Sequence, residues 1–260
     1  MEFVTTKIGE RGRVAAFFDL DGTVVVPPSL EFRFAVYLAR HGELRAAAAF
    51  AWLGVFLKEG MKNFLGHGGA SARFKAVDEN KLYLRGLRVV AAVEWMEKNA
   101  ATIEFYPEAL RRIAWHREHG HAIFLVSGTL AVLARSVGAQ LGRAGEIGVA
   151  ATELESLAGQ WIGCVAGAAV SGPGKARAIR EISARNNNLD LARSFAYGDS
   201  LADRWMLALV GNATVVNPGA RLTWLARRRG WRIARWQRDE PDLEFARDTA
   251  GQASMTWEKS

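Results

Sequence analysis

Short apolar runs alternate with amphipathic helical stretches along most of this 260-residue chain. The runs at 13–20, 121–128, 194–199 and 213–218 carry β-branched or aromatic residues and lead into small polar or turn-forming residues. Helical stretches such as 107–120, which ends in glycine, lie between them. This alternation is typical of right-handed βαβ units, whose strands form a parallel sheet. We therefore predict an α/β fold built on a doubly wound parallel sheet.

Residues 27–104 interrupt this alternation. Ser29 follows two prolines and is predicted to cap a helix. Helical patterns continue beyond it, and the last of them covers about 72–99. The sequence thus predicts an α/β core formed by 1–26 and 105–260, with residues 27–104 inserted into it as a helical unit.

Polar side chains stand where the predicted strands end. Asp19 and Asp21 end the first run, Ser127 ends the second, and Asp199 follows the strand predicted near 195. Ligands of open parallel sheets bind at the carboxyl ends of the strands, so these groups are predicted to meet in one site. A buried carboxylate is costly unless it is paired or binds a metal. The site should therefore contain a cation.

The formal net charge of +7 favours anionic partners. Much of the excess lies in residues 221–238, where tryptophans and arginines alternate. This segment is predicted to be a final amphipathic helix and strand whose arginines extend along apolar surface. A nucleic-acid or membrane face is the alternative. The first interpretation is favoured because charged faces are usually only solvated, and nucleic acid is not predicted as a partner.

The remaining composition favours a cytoplasmic protein. Cys164 is the single cysteine, which excludes an intramolecular disulfide, and the first residues lack the pattern of a signal peptide. The longest apolar run, 46–57, is too short to span a bilayer as a helix. It is predicted to be a buried helix, and peripheral contact with a membrane stays open as the alternative.

Four motifs occur in a recognisable order. They are "DLDGT" at 19–23, "LVSGT" at 125–129, "GPGKARAI" at 172–179 and "GDSLADRWM" at 198–206. Together they resemble the motifs of the haloacid dehalogenase-like hydrolases. The helical insertion after the first motif is similar to the cap of the phosphoserine-phosphatase-like branch (subfamily IB). The resemblance implies a Rossmann-like core with an inserted helical cap.

The resemblance implies a role for each residue of the first motif. Asp19 would attack phosphorus and form an aspartyl-phosphate, since carboxylates can serve as covalent nucleophiles. Asp21 would protonate the leaving alcohol and then activate water. Residues i and i+2 of an extended strand face the same side, so both carboxylates can flank one phosphoryl group. Thr23 would fix the loop and help to bind the phosphate.

The later motifs would supply positive charge and hydrogen bonds. Lys175 would neutralise Asp19 and the phosphoryl oxygens, and Ser127 with Gly128 would bind the transferring group. The implied cofactor is Mg²⁺, held by the Asp19 carboxylate, the Asp21 backbone carbonyl and Asp199. Asp203 would orient a metal-bound water or the lysine.

The predicted function is therefore magnesium-dependent hydrolysis of a small phosphomonoester. The alternatives are a lipid-phosphate phosphatase of the lysophosphatidate or phosphatidylglycerophosphate type at a membrane surface, and a phosphoserine phosphatase. A non-catalytic phosphate-binding protein is a further alternative, against which the intact Asp19, Asp21, Lys175 and Asp199 argue.

Substrate selection is expected to come from the predicted cap. Glu31, Arg33, Lys75 and Arg85 are its candidate polar residues, although charged helical residues are most often only solvated. The uncharged run 46–57 favours an apolar or bulky leaving group over phosphoserine.

Two other groups have a weaker chemical signal. His116, His119 and His121 lie close together, but they span a helix end and a glycine. They are predicted to be a surface helix terminus rather than a zinc site. Cys164 has no evident activating base and is predicted to be structural.

Overall fold

A computed structural model describes residues 13–44, 81–186 and 189–238 of the chain. The apolar run 46–57 and Lys75 lie outside the described residues. The division into a core and an inserted cap at 27–104 stays a prediction for the same reason.

A six-stranded parallel sheet forms the core. The strands of the chain are β1 (Ala15–Phe18), β2 (Ala122–Leu130), β3 (Ile147–Thr152), β4 (Leu154–Leu157), β5 (Gln160–Val165), β6 (Phe195–Gly198), β7 (Asn212–Val216) and β8 (Arg232–Ala234). The sheet order is β3-β2-β1-β6-β7-β8, whereas β4 and β5 form a separate antiparallel pair. The predicted α/β class with a parallel sheet is confirmed.

Helices cover both faces of this sheet. Their bounds are α1 (Leu30–Arg40), α2 (Val89–Asn99), α3 (Pro107–Glu118), α4 (Ala131–Leu141), α5 (Pro173–Arg185), α6 (Arg204–Leu207) and α7 (Ala220–Arg229), with 3₁₀ turns at Leu82–Leu84, Ala100–Thr102 and Leu201–Asp203. Buried residues of α3 and α4 pack on one face, and those of α5, α6 and α7 pack on the other. The predicted doubly wound arrangement is therefore confirmed. None of the helices within the described ranges has the length and apolarity that a membrane crossing requires.

The central strand β1 is buried on both faces, which explains its continuous apolar sequence. Phe18 stacks on Tyr197 of β6 with ring centroids 4.5 Å apart, on one face of the sheet. Phe17 stacks on Phe124 of β2 at 5.5 Å, on the other face. These contacts fix β1 between β2 and β6, so its carboxyl end lies at the middle of the sheet edge.

Two chain segments run side by side between β1 and the helices that follow. The Val26 N–H donates to the Glu104 carbonyl at 2.9 Å, and the Tyr106 N–H donates to the Val24 carbonyl at 3.0 Å. The segment that leaves β1 is thereby held against the one that leads into α3. α1 consequently begins directly beside the carboxyl edge of the sheet, with Ser29 as its N-cap, as predicted.

The structure corrects two predicted helices. In the described part of the stretch predicted at about 72–99, a 3₁₀ turn precedes α2 and Gly86 lies between them with φ +84°. The helix predicted after Asp199 is only a 3₁₀ turn followed by the short α6. There the Asp203 carboxylate accepts the Ser200 N–H at 2.8 Å, which fixes a tight turn.

The prediction of a surface histidine cluster was wrong for His116. Its ring is fully buried, and its nitrogens lie 2.8 Å from His121 Nδ1 and 2.9 Å from the Tyr197 hydroxyl. Burial lowers the pKa of His116 to about 2, so the ring is neutral. His119 is exposed at the end of α3. The cluster thus joins α3 to β6 inside the core.

Candidate active site

The polar residues predicted at strand ends meet at the carboxyl edge of the sheet, but β2 does not end at Ser127 as predicted and continues, after a register shift, to Leu130. Asp19 directly follows β1, and its N–H donates to the Tyr197 carbonyl of β6 at 2.9 Å. Asp199 directly follows β6. Because β1 and β6 are neighbours, the two carboxylates are brought together by strand pairing alone.

Lys175 lies between two of the carboxylates. Its Nζ is 2.5 Å from Asp19 Oδ1 and 2.5 Å from Asp203 Oδ1, and all three side chains are buried. The lysine stands in the first turn of α5, whose start is set by Pro173. Burial by itself would lower the pKa of Lys175, but the two carboxylates outweigh burial and raise it. The lysine is therefore a fixed positive charge.

Three carboxylates lie close together here, and the Lys175 ammonium contacts two of them. Oxygens of Asp19, Asp199 and Asp203 all lie within 4.8 Å of one another. Burial raises the pKa of Asp19 well above its usual value, and the negative charge of Asp203 adds to this effect. Burial, again aided by Asp203, raises the pKa of Asp199 to about 6. The cluster is short of positive charge, so a further cation would stabilise its ionised form.

Asp21 is held apart from this cluster by different donors. Its Oδ1 accepts the N–H of Leu30, the first residue of α1, at 2.8 Å. Its Oδ2 accepts a short hydrogen bond from the Thr129 hydroxyl. Burial raises the pKa of Asp21. The carboxyl group is thus fixed in one orientation and favours its neutral form more than a solvated aspartate does.

Thr129 was not identified from the sequence. It lies in the second motif, two residues after Ser127, so its place in "LVSGT" was the available signal. Ser127 itself is buried, and its Oγ accepts the Thr129 N–H at 3.1 Å. Both hydroxyls therefore belong to one loop beside the carboxylates.

Two predicted phosphate-binding residues lie in tightly packed surroundings. A Cβ at Gly128 would stand 3.3 Å from the Ser171 Cβ, so this position has little room for a side chain. The Thr23 hydroxyl is fully buried and has no hydrogen-bond partner. The structure therefore gives Thr23 an unsatisfied polar atom in the loop that follows Asp21.

The predicted cap residues separate into different environments. Glu31 Oε1 accepts a hydrogen bond from Lys81 Nζ at 2.5 Å and a short one from the Tyr83 hydroxyl. Arg33 donates instead to backbone carbonyls, and Arg85 is exposed. Lys81 and Tyr83 were not predicted, because nothing in the sequence indicated that they would face Glu31.

The donor set fits a hard divalent cation. Carboxylate oxygens are the ligands that magnesium prefers, and the cluster lacks positive charge, as described above. Gly22 also leaves room for Asp199, because a Cβ at this position would stand 2.3 Å from Asp199 Oδ2. The residues that could hold such an ion are Asp19, Asp199 and the neighbouring backbone of Asp21.

Comparisons with known proteins agree with these motifs. The haloacid dehalogenase-like hydrolase model matches residues 16–208. Phosphoserine phosphatase SerB1 of Mycobacterium tuberculosis is 35% identical, over 84% of this chain and 70% of that protein. The inhibition of morphological differentiation protein of Streptomyces azureus is 33% identical, over 87% of this chain and 79% of its own.

Solved structures show the same fold. A protein of unknown function from Bordetella pertussis Tohama I has a TM-score of 0.68 at 23% identity, with 86% of this chain and 98% of that chain covered. A phospho-aspartyl intermediate analogue of phosphoserine phosphatase has a TM-score of 0.56 at 18% identity, with 88% and 96% covered. The prediction of a phosphatase-type enzyme is confirmed, and the chain belongs to the haloacid dehalogenase-like hydrolase family, in its phosphoserine-phosphatase-like branch.

Proposed function

We propose that this chain hydrolyses phosphomonoesters with magnesium, through an aspartyl-phosphate on Asp19. The observation that carries the proposal is the contact of Lys175 Nζ with Asp19 Oδ1 at 2.5 Å, beside the separately held Asp21. A nucleophilic carboxylate needs a neighbouring cation to accept an incoming phosphoryl dianion. It also needs an acid at the leaving oxygen, and Asp21 is the buried carboxyl group available for that purpose.

In the first step an Asp19 oxygen attacks phosphorus and forms the new O–P bond. The bond from phosphorus to the leaving alkoxide oxygen breaks, and that oxygen takes the proton of the Asp21 carboxyl group. Burial raises the pKa of Asp21, which favours the protonated form that this step requires. Lys175, Ser127 and the backbone at Gly128 bind the phosphoryl oxygens and stabilise their charge in the transition state.

In the second step Asp21 acts as a base. Its carboxylate takes a proton from water, the water oxygen attacks phosphorus, and the Asp19 O–P bond breaks to release inorganic phosphate. Thr129 and the Leu30 N–H hold the Asp21 carboxyl group in place throughout. Magnesium, when bound by Asp19, Asp199 and the Asp21 carbonyl, supplies the positive charge that lowers repulsion between the carboxylates and the phosphoryl group.

Replacing Asp19 by asparagine tests the mechanism. Phosphate release from an aryl phosphate should fall by at least about 10⁴-fold, with circular dichroism unchanged, because the covalent nucleophile is lost. Asp190→Asn is the matched control, because the Asp190 carboxylate accepts a hydrogen bond from the Arg193 N–H near the start of β6, at the edge of the sheet opposite the site. In Asp21→Asn a radiolabelled phosphoenzyme should accumulate. Substantial turnover by Asp19→Asn would refute the proposal.

The run 46–57, which predicts an apolar leaving group, lies outside the described residues, whereas the Glu31–Lys81 pair favours phosphoserine as the substrate. Glu31 follows Leu30, whose N–H donates a hydrogen bond to the Asp21 carboxylate. The negative charge of Glu31 helps to raise the pKa of Asp21. The pair therefore lies beside the proposed acid. A half-buried anion, Glu31, and a buried cation, Lys81, match the ammonium and carboxylate of an amino-acid leaving group. SerB1, at 35% identity, is named a phosphoserine phosphatase.

A substrate panel separates this candidate from the apolar and lipid alternatives. Catalytic efficiency on phosphoserine should exceed that on lysophosphatidate and an aryl phosphate, and Lys81→Met should reduce the phosphoserine value alone. Tyr83→Phe is the matched control, since it leaves the charge pair intact. Equal losses on all three substrates in Lys81→Met would show that Lys81 does not select the leaving group.

A further inference from the structure

The last described segment of the chain carries a one-sided charge. Residues 219–238 contain seven arginines and neither aspartate nor glutamate. They are Arg221, Arg227, Arg228, Arg229, Arg232, Arg235 and Arg238. The formal charge of this one segment equals the net charge of the whole chain, which is +7. The excess positive charge is therefore concentrated at α7, β8 and residues 235–238.

α7 presents a basic and aromatic face to solvent. Leu222 and Ala226 are buried against the core, which directs the opposite side of the helix outward. Arg221, Trp224 and Arg228 lie three and four residues apart and therefore share that outward side. Trp224 is 59% exposed, and the Arg228 guanidinium lies 4.8 Å from the centre of its ring.

The charge of this face is not balanced within the described residues. Arg221, Arg227 and Arg228 have no ion-pair partner in the part of the chain that the structure describes. Arg238 has an exposed partner, Glu104, at 3.6 Å. Within the described residues this surface therefore carries unbalanced positive charge, which is complementary to an extended anionic partner.

We propose that the face formed by Arg221, Trp224, Arg227 and Arg228 docks on a membrane surface rich in anionic phospholipids. The indole ring suits the boundary between headgroups and acyl chains, and the guanidinium groups bind the phosphate headgroups. Single-stranded nucleic-acid sites combine a basic groove with several stacking rings. α7 instead exposes one indole, and a guanidinium already covers one face of that ring.

The docking face is independent of the candidate active site. Its residues contact none of the carboxylates described above, and the chemistry proposed at Asp19 does not require it. α7 nevertheless begins directly after the carboxyl end of β7, so Arg221 lies toward the edge of the sheet that carries the site. Docking would therefore hold that edge close to the bilayer.

Vesicle flotation tests the proposal with the full chain. The protein should bind vesicles of phosphatidylcholine mixed with phosphatidylglycerol, and not phosphatidylcholine alone. Binding should weaken when salt rises from about 0.1 M to 1 M, since the screening length shortens from about 10 Å to about 3 Å. The double variant Arg227→Gln/Arg228→Gln should partition about 30-fold more weakly, from the contribution of two basic residues near an anionic surface.

Matched variants keep the outcome interpretable. Arg180→Gln/Arg185→Gln removes two exposed charges from α5 and should change binding far less. Trp224→Ala should weaken binding at both salt concentrations, because its contribution is apolar. Equal binding by the two double variants, or no binding to anionic vesicles, would overturn the proposal. If the protein bound single-stranded DNA but not vesicles, and the α7 double variant lost this DNA binding, the proposal would be overturned in favour of nucleic acid.

Turnover is measured separately in the same samples. The α7 double variant should hydrolyse a soluble aryl phosphate as fast as the unmodified chain, which also shows that it is folded. If no sample releases phosphate, the proposed function fails while the vesicle result still decides the docking face.

Discussion

Replacing Lys175 by methionine would remove the buried positive charge of the site and keep a side chain of similar length. The ammonium is the shared partner of Asp19 and Asp203, each at 2.5 Å. The variant would therefore leave two buried carboxylates facing each other without their counter-ion, while the packing around them changes little.

Loss of one partner from a buried ion pair typically costs about 3–5 kcal/mol, because the remaining charge is buried and uncompensated. Here two carboxylates lose their partner, which argues for a large cost. Burial already raises the pKa of Asp19, so this group can take up a proton and relieve part of the repulsion. We therefore expect a loss of about 3 kcal/mol in the free energy of unfolding, at the lower end of that range.

Urea unfolding with a chelator present measures this loss. Magnesium should reduce the difference between Lys175→Met and the unmodified chain, since a bound cation supplies charge to the same carboxylates. The double variant Lys175→Met/Asp203→Asn should be more stable than the sum of its single variants predicts, by at least about 1 kcal/mol, because the two side chains are in contact. Asp203→Asn alone completes the double-mutant cycle, together with the unmodified chain, Lys175→Met and the double variant.

Two outcomes would contradict this interpretation. A Lys175→Met variant within about 1 kcal/mol of the unmodified chain would mean that the ammonium does not offset the carboxylate charges. An additive cycle would mean that Lys175 and Asp203 do not interact in solution. The turnover of Lys175→Met should also fall by at least about 100-fold, consistent with the loss of a charge that stabilises the transition state.

Three further predictions concern metal binding, packing and pH. Asp199→Ala should raise the magnesium concentration needed for half-maximal activity by at least about ten-fold, because it removes one of the proposed carboxylate ligands; rates titrated with magnesium measure this. Gly22→Ala should abolish most turnover and cost about 1–3 kcal/mol, because its Cβ would stand 2.3 Å from Asp199 Oδ2 at a φ of +88°. Gly120→Ala, which has open space at a φ of +68°, should cost about 1–2 kcal/mol and leave turnover unchanged. Burial lowers the pKa of His116 to about 2, so as pH falls below about 6.5 the unfolded state takes up a proton that the folded state does not. Between pH 7 and pH 5 the stability of the unmodified chain should therefore fall relative to that of His116→Phe, by up to about 1.4 kcal/mol per pH unit, and parallel urea-unfolding profiles would contradict this.

The elements that the sequence predicts best are those whose pattern is local. β1 and residues 122–126 of β2 are buried and continuously apolar, and β6 leads directly into the polar residues Asp199 and Ser200. The strands that pair with one another, by contrast, are distant in the sequence, so local patterns do not identify them. The segment that follows α4 divides between β3, which joins the main sheet, and β4, which pairs with β5, and no periodicity indicates where that division falls.

The same limit applies to the site. The predicted strand ends and the motifs indicate that Asp19, Asp199 and Lys175 lie in one site, because neighbouring parallel strands end at one edge of the sheet. Contacts that join remote segments were missed. Thr129 meets Asp21 across 108 residues, and His116 meets Tyr197 across 81. Threonine and histidine occur in many environments, so their types and positions carry too little information to identify such a partner.

The imbalance of charge connects the local geometry with the proposed chemistry. Four aspartates, Asp19, Asp21, Asp199 and Asp203, surround the end of β1, and the ammonium of Lys175 contacts two of them. A phosphomonoester would bring about two more negative charges. Lys175 alone cannot offset all of these, so phosphate should bind weakly in the presence of a chelator and more tightly when magnesium is present. The surplus of carboxylates that makes the site unfavourable by itself is thus what would couple substrate binding to a metal ion.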